Sequence, residues 1–414
     1  MSSQTALTVE TAQPLSPDRV RPLLLVVLAL LSTVAPFATD LYLPAFPRMT
    51  GDLATDATGV QMTLTSFLVG IAFGQLGFGP LSDKFGRKLP LMAGSLLCLV
   101  ASAVAALAPN VEVLIAARFV QGVAGAAGMV IGRAIISDLA TGKAAARAFN
   151  LMMIVSGVAP VVAPVLGGIF VDPLGWRGIL WVIFGLAALM LVSVSSVIRE
   201  SHTLDRRAKN RAVRAAQGSA LHQLRSRVYI GNTLTLAFSF AVMMAYISAS
   251  PFLYQVMMGV NALQYGLFFG VNALGLVAVS GLAARLVAVH SVRRVLGAGL
   301  ALVLASALGF VLLVLLGASP VWLAAPVFAA ISSLGLVFGN ATSLALAEVP
   351  RAAGTGSAVL GALQFGVGAL VSPLVSIGGE DTALPLAVVM IGASTLAAAA
   401  FYFARARKQP APRS

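Results

Sequence analysis

Charged residues are scarce in this chain of 414 residues, because Asp, Glu, Lys and Arg together make up only 10% of it. A soluble protein carries about a quarter charged residues to cover its surface. Hydrophobic residues instead reach 59%, with a mean hydropathy of +0.95. Ordinary globular cores cannot bury so much apolar surface, so most of the chain is expected to lie in lipid.

Cysteine and histidine are also rare. Cys98 is the single cysteine, which excludes an internal disulfide and a secreted disulfide scaffold. The histidines, His202, His222 and His290, fall in predicted loops or at a helix end without the spacing of metal ligands. The sequence also lacks the Gly-x-x-x-x-Gly-Lys-Ser/Thr loop that binds nucleotide phosphates. We therefore expect no metal, no cofactor, no ATP as fuel and no enzyme activity.

Long apolar runs are what the chain has instead. A helix crosses the hydrocarbon core with about 20 apolar residues, and runs of that length exclude the short alternating strands of a β-barrel. The sequence predicts an all-α membrane protein of twelve transmembrane helices, at 21–43, 58–81, 89–109, 111–137, 147–171, 176–198, 228–254, 262–289, 293–317, 320–347, 353–377 and 383–404.

A basic linker divides the predicted helices into two halves. It covers 199–227 and separates a six-helix half at 21–198 from another at 228–404, with polar tails at 1–20 and 405–414. The first tail has no hydrophobic region, so it is interpreted as a tail and not as a cleaved signal peptide.

Most Lys and Arg residues fall on the side of the tails and the linker. Since basic loops stay inside, both termini and the linker are predicted to be cytoplasmic. The net charge of +13 is then mainly a signal of topology, and no nucleic-acid partner is expected.

The two halves share a marked loop after their second helix. The loop at 79–94 reads GPLSDKFGRKLPLMAG, and the one at 281–299 reads GLAARLVAVHSVRRVLGAG. Each begins with a glycine, continues with a charge four residues later and has a basic pair before the next helix. This similarity predicts two repeated halves around a central pathway, although chance similarity of two basic loops is the alternative. The charges are Asp83, Arg87 and Lys88 in the first loop and Arg285, Arg293 and Arg294 in the second.

Four segments give the chain a family resemblance. The first loop resembles the pattern of the major facilitator superfamily, and RFVQG at 118–122 resembles its Arg-x-x-Gln-Gly element. The stretch APVLGG at 163–168 resembles the proline and glycine element of drug/proton antiporters, with Ala163 in place of the usual glycine. Helix 1 contains DLYLP at 40–44, which looks like the bicyclomycin/chloramphenicol resistance (Bcr/CflA) branch. The loop residues that match are Gly79, Leu81, Ser82, Asp83, Lys84, Gly86, Arg87 and Lys88.

This resemblance covers essentially the whole chain and implies the major facilitator fold. It implies a proton-driven efflux transporter that exports amphipathic drugs, similar to chloramphenicol, florfenicol or bicyclomycin, by antiport with alternating access. It also implies a bacterial inner membrane, a monomer, and a drug, a proton and the lipid bilayer as partners. A proton-coupled uptake symporter for a small nutrient, on the same fold, is the alternative.

Two charges lie well inside predicted helices and are the candidates for proton coupling, Asp40 and Arg118. A charge in the bilayer is costly and needs a partner or water. Burial favours neutral Asp40 whereas a nearby guanidinium favours the charged form, so protonation would respond to small rearrangements. Asp40 is predicted about three residues before the outer end of its helix. The alternatives are that Asp40 caps the helix or pairs with Arg48, and that Arg118 only binds backbone.

Further residues are assigned by type and place. A conformational latch is expected at Gly79, Asp83, Gly86, Arg87 and Lys88, and a kinked, closely packed fifth helix at Gly157, Pro160, Pro164, Gly167 and Gly168. Aromatic and amide groups near helix centres and ends suit an amphipathic drug, although each can equally serve helix packing. These cavity candidates are Tyr42, Gln121, Phe238, Tyr246, Phe252, Tyr254, Asn272, Asn340 and Gln364.

Overall fold

The computed structural model describes residues 22–140, 142–203, 220–350, 353–377 and 379–405. The predicted tails at 1–20 and 405–414 lie outside this part except for Arg405, and so do residues 204–219 of the predicted linker. Within the described part the chain forms helices and no strands. The predicted all-α membrane fold is confirmed.

Eleven apolar segments in these ranges are long enough to cross a membrane. One of them, Arg147–Val197, has 51 residues, far more than one crossing needs. It breaks at Gly175, whose φ of 65° is a left-handed conformation that favours glycine. Divided there, the segments are consistent with the twelve predicted crossings.

We number these helices α1 to α12 in chain order. They are α1 Leu23–Asp52, α2 Ala57–Phe85, α3 Lys88–Ala106, α4 Val111–Leu139, α5 142–174, α6 176–197, α7 Arg227–Met257, α8 Ala262–Leu286, α9 Val292–Leu315, α10 Pro320–Ala347, α11 Gly354–Ser376 and α12 Leu384–Phe403.

Helix α1 corrects one prediction. The predicted end at 43 is not the end of the helical segment. A first α-helix ends at Asp40, and it is followed by a short 3-10 turn, Leu43–Ala45, and by a second α-helix, Phe46–Asp52. Prolines start both of these later segments, and proline is well suited to a first helical turn. Asp40 therefore lies at a break inside α1, and its expected place about three residues from the end of the helix was wrong.

Short turns join most successive helices, so the helix ends gather on two faces. We call one the basic face, since Lys84, Lys88 and Arg227 lie at helix ends there. The opposite one, the acidic face, carries Asp56 and Glu112 at the starts of α2 and α4.

Polar contacts between the two halves lie toward the acidic face. Gln61 Nε2 of α2 donates to the Ser248 carbonyl of α7 at 3.0 Å, and Ser376 Oγ donates to Thr58 Oγ1 at 3.1 Å. Gln255 Nε2 donates to the backbone carbonyl of Pro44 in α1 at 3.1 Å. Together these bonds close the molecule on its acidic face.

Candidate functional site

Asp40 ends the first helical segment of α1 and is only 4% exposed. Its carboxylate makes no hydrogen bond or ion pair with any residue that the structure describes. The alternative partner Arg48 instead pairs with Asp172. A buried carboxylate without a cation is costly in its charged form. A proton is therefore the natural counter-charge for Asp40.

Asp40 lies near enough to Tyr265 of α8, which belongs to the other half of the molecule, for the two groups to interact electrostatically. Tyr265 is fully buried, and its Oη lies 3.1 Å from Ser250 Oγ. Its ring packs 6.1 Å from that of Tyr254. Asp40 thus faces an aromatic cluster that the opposite half supplies.

Asn272 joins the tyrosines of this cluster. Its Nδ2 donates to Tyr246 Oη at 2.8 Å and to Tyr254 Oη at 3.1 Å. The structure therefore brings together three predicted cavity residues. Tyr265 was missed, although Tyr265, Phe269 and Asn272 follow at i, i+4 and i+7 on one face of α8, a pattern that the sequence already contains. We call Tyr246, Tyr254, Tyr265, Phe269 and Asn272 the tyrosine cluster.

Arg118 of α4 is fully buried. Its Nη2 donates to the Ala38 carbonyl of α1 at 2.6 Å, and its Nη1 donates to Gln121 Oε1 at 2.6 Å. The guanidinium carbon also lies 4.5 Å from the centre of the Tyr42 ring and 4.3 Å from that of Phe67. Arg118 therefore binds a backbone carbonyl, as in the alternative to proton coupling, and it forms no ion pair with Asp40.

The two predicted coupling residues nevertheless meet on one short stretch of α1. Arg118 holds the carbonyl of Ala38, and Asp40 follows two residues later. Gln121 is itself fixed, because its Nε2 donates to Ser102 Oγ at 2.6 Å. Arg118 can thus position the broken end of α1, on which the Asp40 carboxylate sits.

Helix α5 packs between α1 and α8 through adjacent glycines. A Cβ at Gly167 would lie 2.0 Å from the Leu41 carbonyl of α1, and one at Gly168 would lie 2.5 Å from the Ala262 carbonyl of α8. From the other side, a Cβ at Gly266 of α8 would lie 2.6 Å from the Pro164 carbonyl. These glycines allow the two halves to touch backbone to backbone, next to Asp40.

Among the described residues, the other cavity candidates make no hydrogen bond or ring contact with this cluster, although Tyr42 and Phe252 belong to the same buried apolar core. Phe252 is buried against Phe46, with ring centres 6.4 Å apart. Asn340 donates to the Leu336 carbonyl of its own helix at 2.8 Å. Phe238 packs in a separate apolar cluster, and Gln364 is half-buried in α11.

On the basic face, Arg87 links three elements. Its Nη1 donates to Asp83 Oδ1 at 2.8 Å, and its Nε donates to Asp138 Oδ2 at 2.9 Å. Glu200 accepts from the backbone N–H groups of Arg87 and Lys88 at 2.9 and 3.2 Å. Burial lowers the pKa of Arg87, but its bonds to Asp138 and Asp83 outweigh burial and raise that pKa above its ordinary value.

Glycine permits the turn that brings Arg87 to these carboxylates. Gly86 has a φ of 90°, a left-handed conformation that favours glycine. A Cβ at Gly79, by contrast, would meet nothing within 4 Å. Of the predicted latch residues, Asp83, Gly86 and Arg87 therefore have a local structural reason for their type.

Replacing Arg87 with glutamine should lower the stability of the first half. Asp83 and Asp138 would each lose the ion pair with Arg87, and breaking a buried ion pair costs about 3–5 kcal/mol. We expect the free energy of unfolding to fall by about 2 kcal/mol, less than this range, because Asp83 is partly exposed. The measurement is the melting temperature of the purified protein, which should fall. Lys84→Gln is the matched control, because Lys84 contacts only the exposed Phe85 ring among the contacts shown; equal loss in both variants would contradict the assignment.

Comparison with known proteins identifies the family. The family model for the Major Facilitator Superfamily matches residues 28–373. The chain is 32% identical to the bicyclomycin resistance protein homolog of Haemophilus influenzae, over 92% of this chain and 95% of that one. It is 30% identical to the chloramphenicol resistance protein of Pseudomonas aeruginosa, over 88% of this chain and 86% of that one.

A solved D-xylose-proton symporter has the same fold, with a TM-score of 0.73 at 14% identity, over 91% of this chain and 96% of that one. At that identity the likeness concerns the fold alone. The family match and the sequence relatives confirm the resemblance that the motifs in α1, α4 and α5 predicted. The chain therefore belongs to the major facilitator superfamily of transporters, in its bicyclomycin and chloramphenicol resistance branch.

Proposed function

We propose that this transporter exports amphipathic drugs of the phenicol or bicyclomycin type by exchanging them for protons. Its basic face lies in the cytoplasm of a bacterial inner membrane, as do both termini. The acidic face is then external, and the described conformation is closed to the outside. Relatives named for resistance to chloramphenicol and bicyclomycin support this substrate class.

The observation that carries the proposal is the place of Asp40. It is buried at the contact between the halves, opposite Tyr265, without a counter-ion among the described residues. A neutral Asp40 side chain can stay buried at this contact between the halves, whereas a charged one is strongly disfavoured there without water or a counter-ion. Loss of the proton to the cytoplasm therefore favours outward opening, which hydrates the carboxylate.

Protonation from the outside completes the cycle. A neutral Asp40 allows the contact to close again once the drug has left. Each proton that enters also moves a charge through the membrane potential, which contributes about 2.3 kcal/mol per 100 mV. Proton entry thus drives export of the drug.

The drug is proposed to bind beside the tyrosine cluster. Tyr246 and Tyr254 offer hydroxyls and aromatic faces, and Asn272 fixes both. Such a surface suits a neutral or weakly charged aromatic ligand. Movement of the cluster on binding would alter the surroundings of Asp40 through Tyr265, which is the coupling that an antiporter needs.

Everted vesicles test the function. Their lumen is acidified by respiration, and an acridine dye reports the pH gradient. We expect chloramphenicol, florfenicol or bicyclomycin to dissipate the gradient and to accumulate inside, because protons leave as drug enters. Drug and protons leaving together would indicate symport, and no response to any of these drugs would contradict the proposal.

Glu380 gives the closed state a pH dependence. Burial raises its pKa, and so do Asp381 beside it and Asp56 on the other half. The charged form is therefore disfavoured when the acidic face is closed. Lowering the external pH should protonate Glu380 and stabilise closure, and raising the pH should reverse this.

Spin labels at the exposed Leu107 and Val321 can measure this closure. The Asp40→Asn background removes any contribution from Asp40. Glu380→Gln should abolish the pH-dependent change in distance, whereas Glu112→Gln, at an exposed acidic-face residue, should retain it. A full pH response in the Glu380 variant would contradict this role.

A further inference from the structure

Three arginines surround the end of α12 on the basic face. Arg227 begins α7, and its Nε donates to the Phe403 carbonyl at 2.7 Å. Arg293 lies in the first turn of α9, and its Nη2 donates to the Phe401 carbonyl at 2.9 Å. Arg405 follows α12 directly. We call Arg227, Arg293 and Arg405 the arginine cluster.

Each of these arginines also covers an aromatic ring of α12. The guanidinium carbon of Arg227 lies 4.4 Å from the centre of the Phe403 ring, and that of Arg405 lies 3.8 Å from the Tyr402 ring. Arg293 lies 4.5 Å from a third ring, that of Phe401. These contacts fix the cations in place at the end of the helix.

The arginine cluster forms no ion pair with any carboxylate that the structure describes. Arg293 and Arg405 repel each other, and Arg227 and Arg293 both lie in first helical turns, where the helix dipole disfavours cations. The carbonyl end of α12 offsets only about half a charge. Glu348 accepts a hydrogen bond from Ser226 at 3.4 Å, but within the described ranges it forms no ion pair with the three arginines.

In the first half, carboxylates bind the basic residue at the corresponding helix start. Arg87, before α3, corresponds to the basic pair at the start of α9, and it is bound by Asp83 and Asp138. Glu200, after α6, caps the start of α3. The second half has Arg285 at the position that corresponds to Asp83, and an arginine, Arg405, after α12. Among the residues that the structure describes, the second half has no carboxylate bound to Arg293 or Arg405.

We propose that the arginine cluster binds the phosphate group of an anionic phospholipid from the adjoining membrane leaflet. One guanidinium group can donate two parallel N–H hydrogen bonds to two oxygens of the same phosphate. Tyr402 and Phe403 are 62% and 45% exposed at the same level, as aromatic residues are at the membrane–water interface. Basic groups between helix ends on this face are the expected place for such headgroups.

The test compares lipid retention by the purified full-length protein. Wild type, Arg405→Gln and Arg285→Gln are mixed with phosphatidylglycerol or phosphatidylcholine in mild detergent, and bound lipid is counted by native mass spectrometry. Arg405→Gln should reduce retained phosphatidylglycerol about fivefold, the factor expected for one basic residue near the surface. Arg285→Gln makes the same charge change outside the cluster and should bind as wild type does. Phosphatidylcholine should be retained weakly by all three.

Arg293→Gln provides a second variant, with its melting temperature measured in parallel. Loss of phosphatidylglycerol from a folded Arg293 variant supports the site, and equal retention by wild type and both cluster variants overturns it. An equal loss in Arg285→Gln would indicate only general charge attraction. A further arm adds inorganic phosphate to the wild-type complex. Complete displacement of the lipid by millimolar phosphate would show a free-anion site and contradict the lipid assignment.

Discussion

Replacing Asp40 with asparagine should abolish proton-driven export, so that vesicles containing the variant do not accumulate drug above its concentration in the medium. Asparagine keeps the size and polarity of the side chain but cannot carry a proton at any pH. The neutral asparagine side chain could then stay buried near Tyr265 at every pH, so the conformation closed to the outside would always be permitted. The variant should still bind drug and equilibrate it down a concentration gradient, independently of pH.

This pattern separates a coupling role from a structural one. A residue that only caps α1 would, when changed, lower protein level and binding together with transport. Asp172→Asn is the matched control, because Asp172 is an exposed carboxylate in the same half, paired with Arg48. It should keep active export. Full active transport by Asp40→Asn would refute the assignment, and Asp40→Glu should retain part of the activity with a changed pH profile.

Replacing Gly168 with alanine should slow transport about five- to 150-fold, the range that a cost of about 1–3 kcal/mol to one conformation gives. The added Cβ would lie 2.5 Å from the Ala262 carbonyl and 2.9 Å from Leu263 Cα. Both are backbone atoms, so α5 and α8 must separate to relieve the contact. The external side should then stay open, and the halves should fail to close over Asp40.

Gly157→Ala is the control on the same helix. Its Cβ would lie 3.8 Å from a Val277 methyl group, an ordinary contact, so transport should change little. Spin labels at Leu107 and Val321 should report a longer distance in Gly168→Ala than in wild type or Gly157→Ala. A short distance with normal transport in the Gly168 variant would show that the α5–α8 contact does not form the external closure.

The sequence was sufficient to predict the fold because the length of an apolar run decides whether a segment can cross the membrane as a helix. Charge scarcity predicted the spans, and the short motifs in α1, α4 and α5 predicted the family. The loop pattern also predicted the latch residues, among which Arg87 pairs with Asp83. These features are local in the chain, or repeat within it, and can be recognised without knowing which helices touch.

The site depends on contacts that are distant in the chain. Nothing next to Asp40 in the sequence indicates that Tyr265 lies near it, since the two are brought together by the packing of α5 against both α1 and α8. Arg118 was predicted to couple to Asp40, directly or through water, and the structure shows it bound to the Ala38 carbonyl. A buried guanidinium is satisfied by several acceptors, and the break in α1 exposes backbone oxygens that a predicted continuous helix would not offer. Sequence patterns do not decide between these acceptors.

Proton release on drug binding tests the central claim most directly. Purified protein in a weakly buffered solution is mixed with chloramphenicol, or with whichever drug the vesicle assay identifies, while a pH dye or electrode records the proton count. Wild type should release protons in proportion to the drug bound, and Asp40→Asn should bind the same drug and release none. Equal proton release by both proteins, or drug binding by wild type without any release, would contradict the proposal that Asp40 carries the exchanged proton.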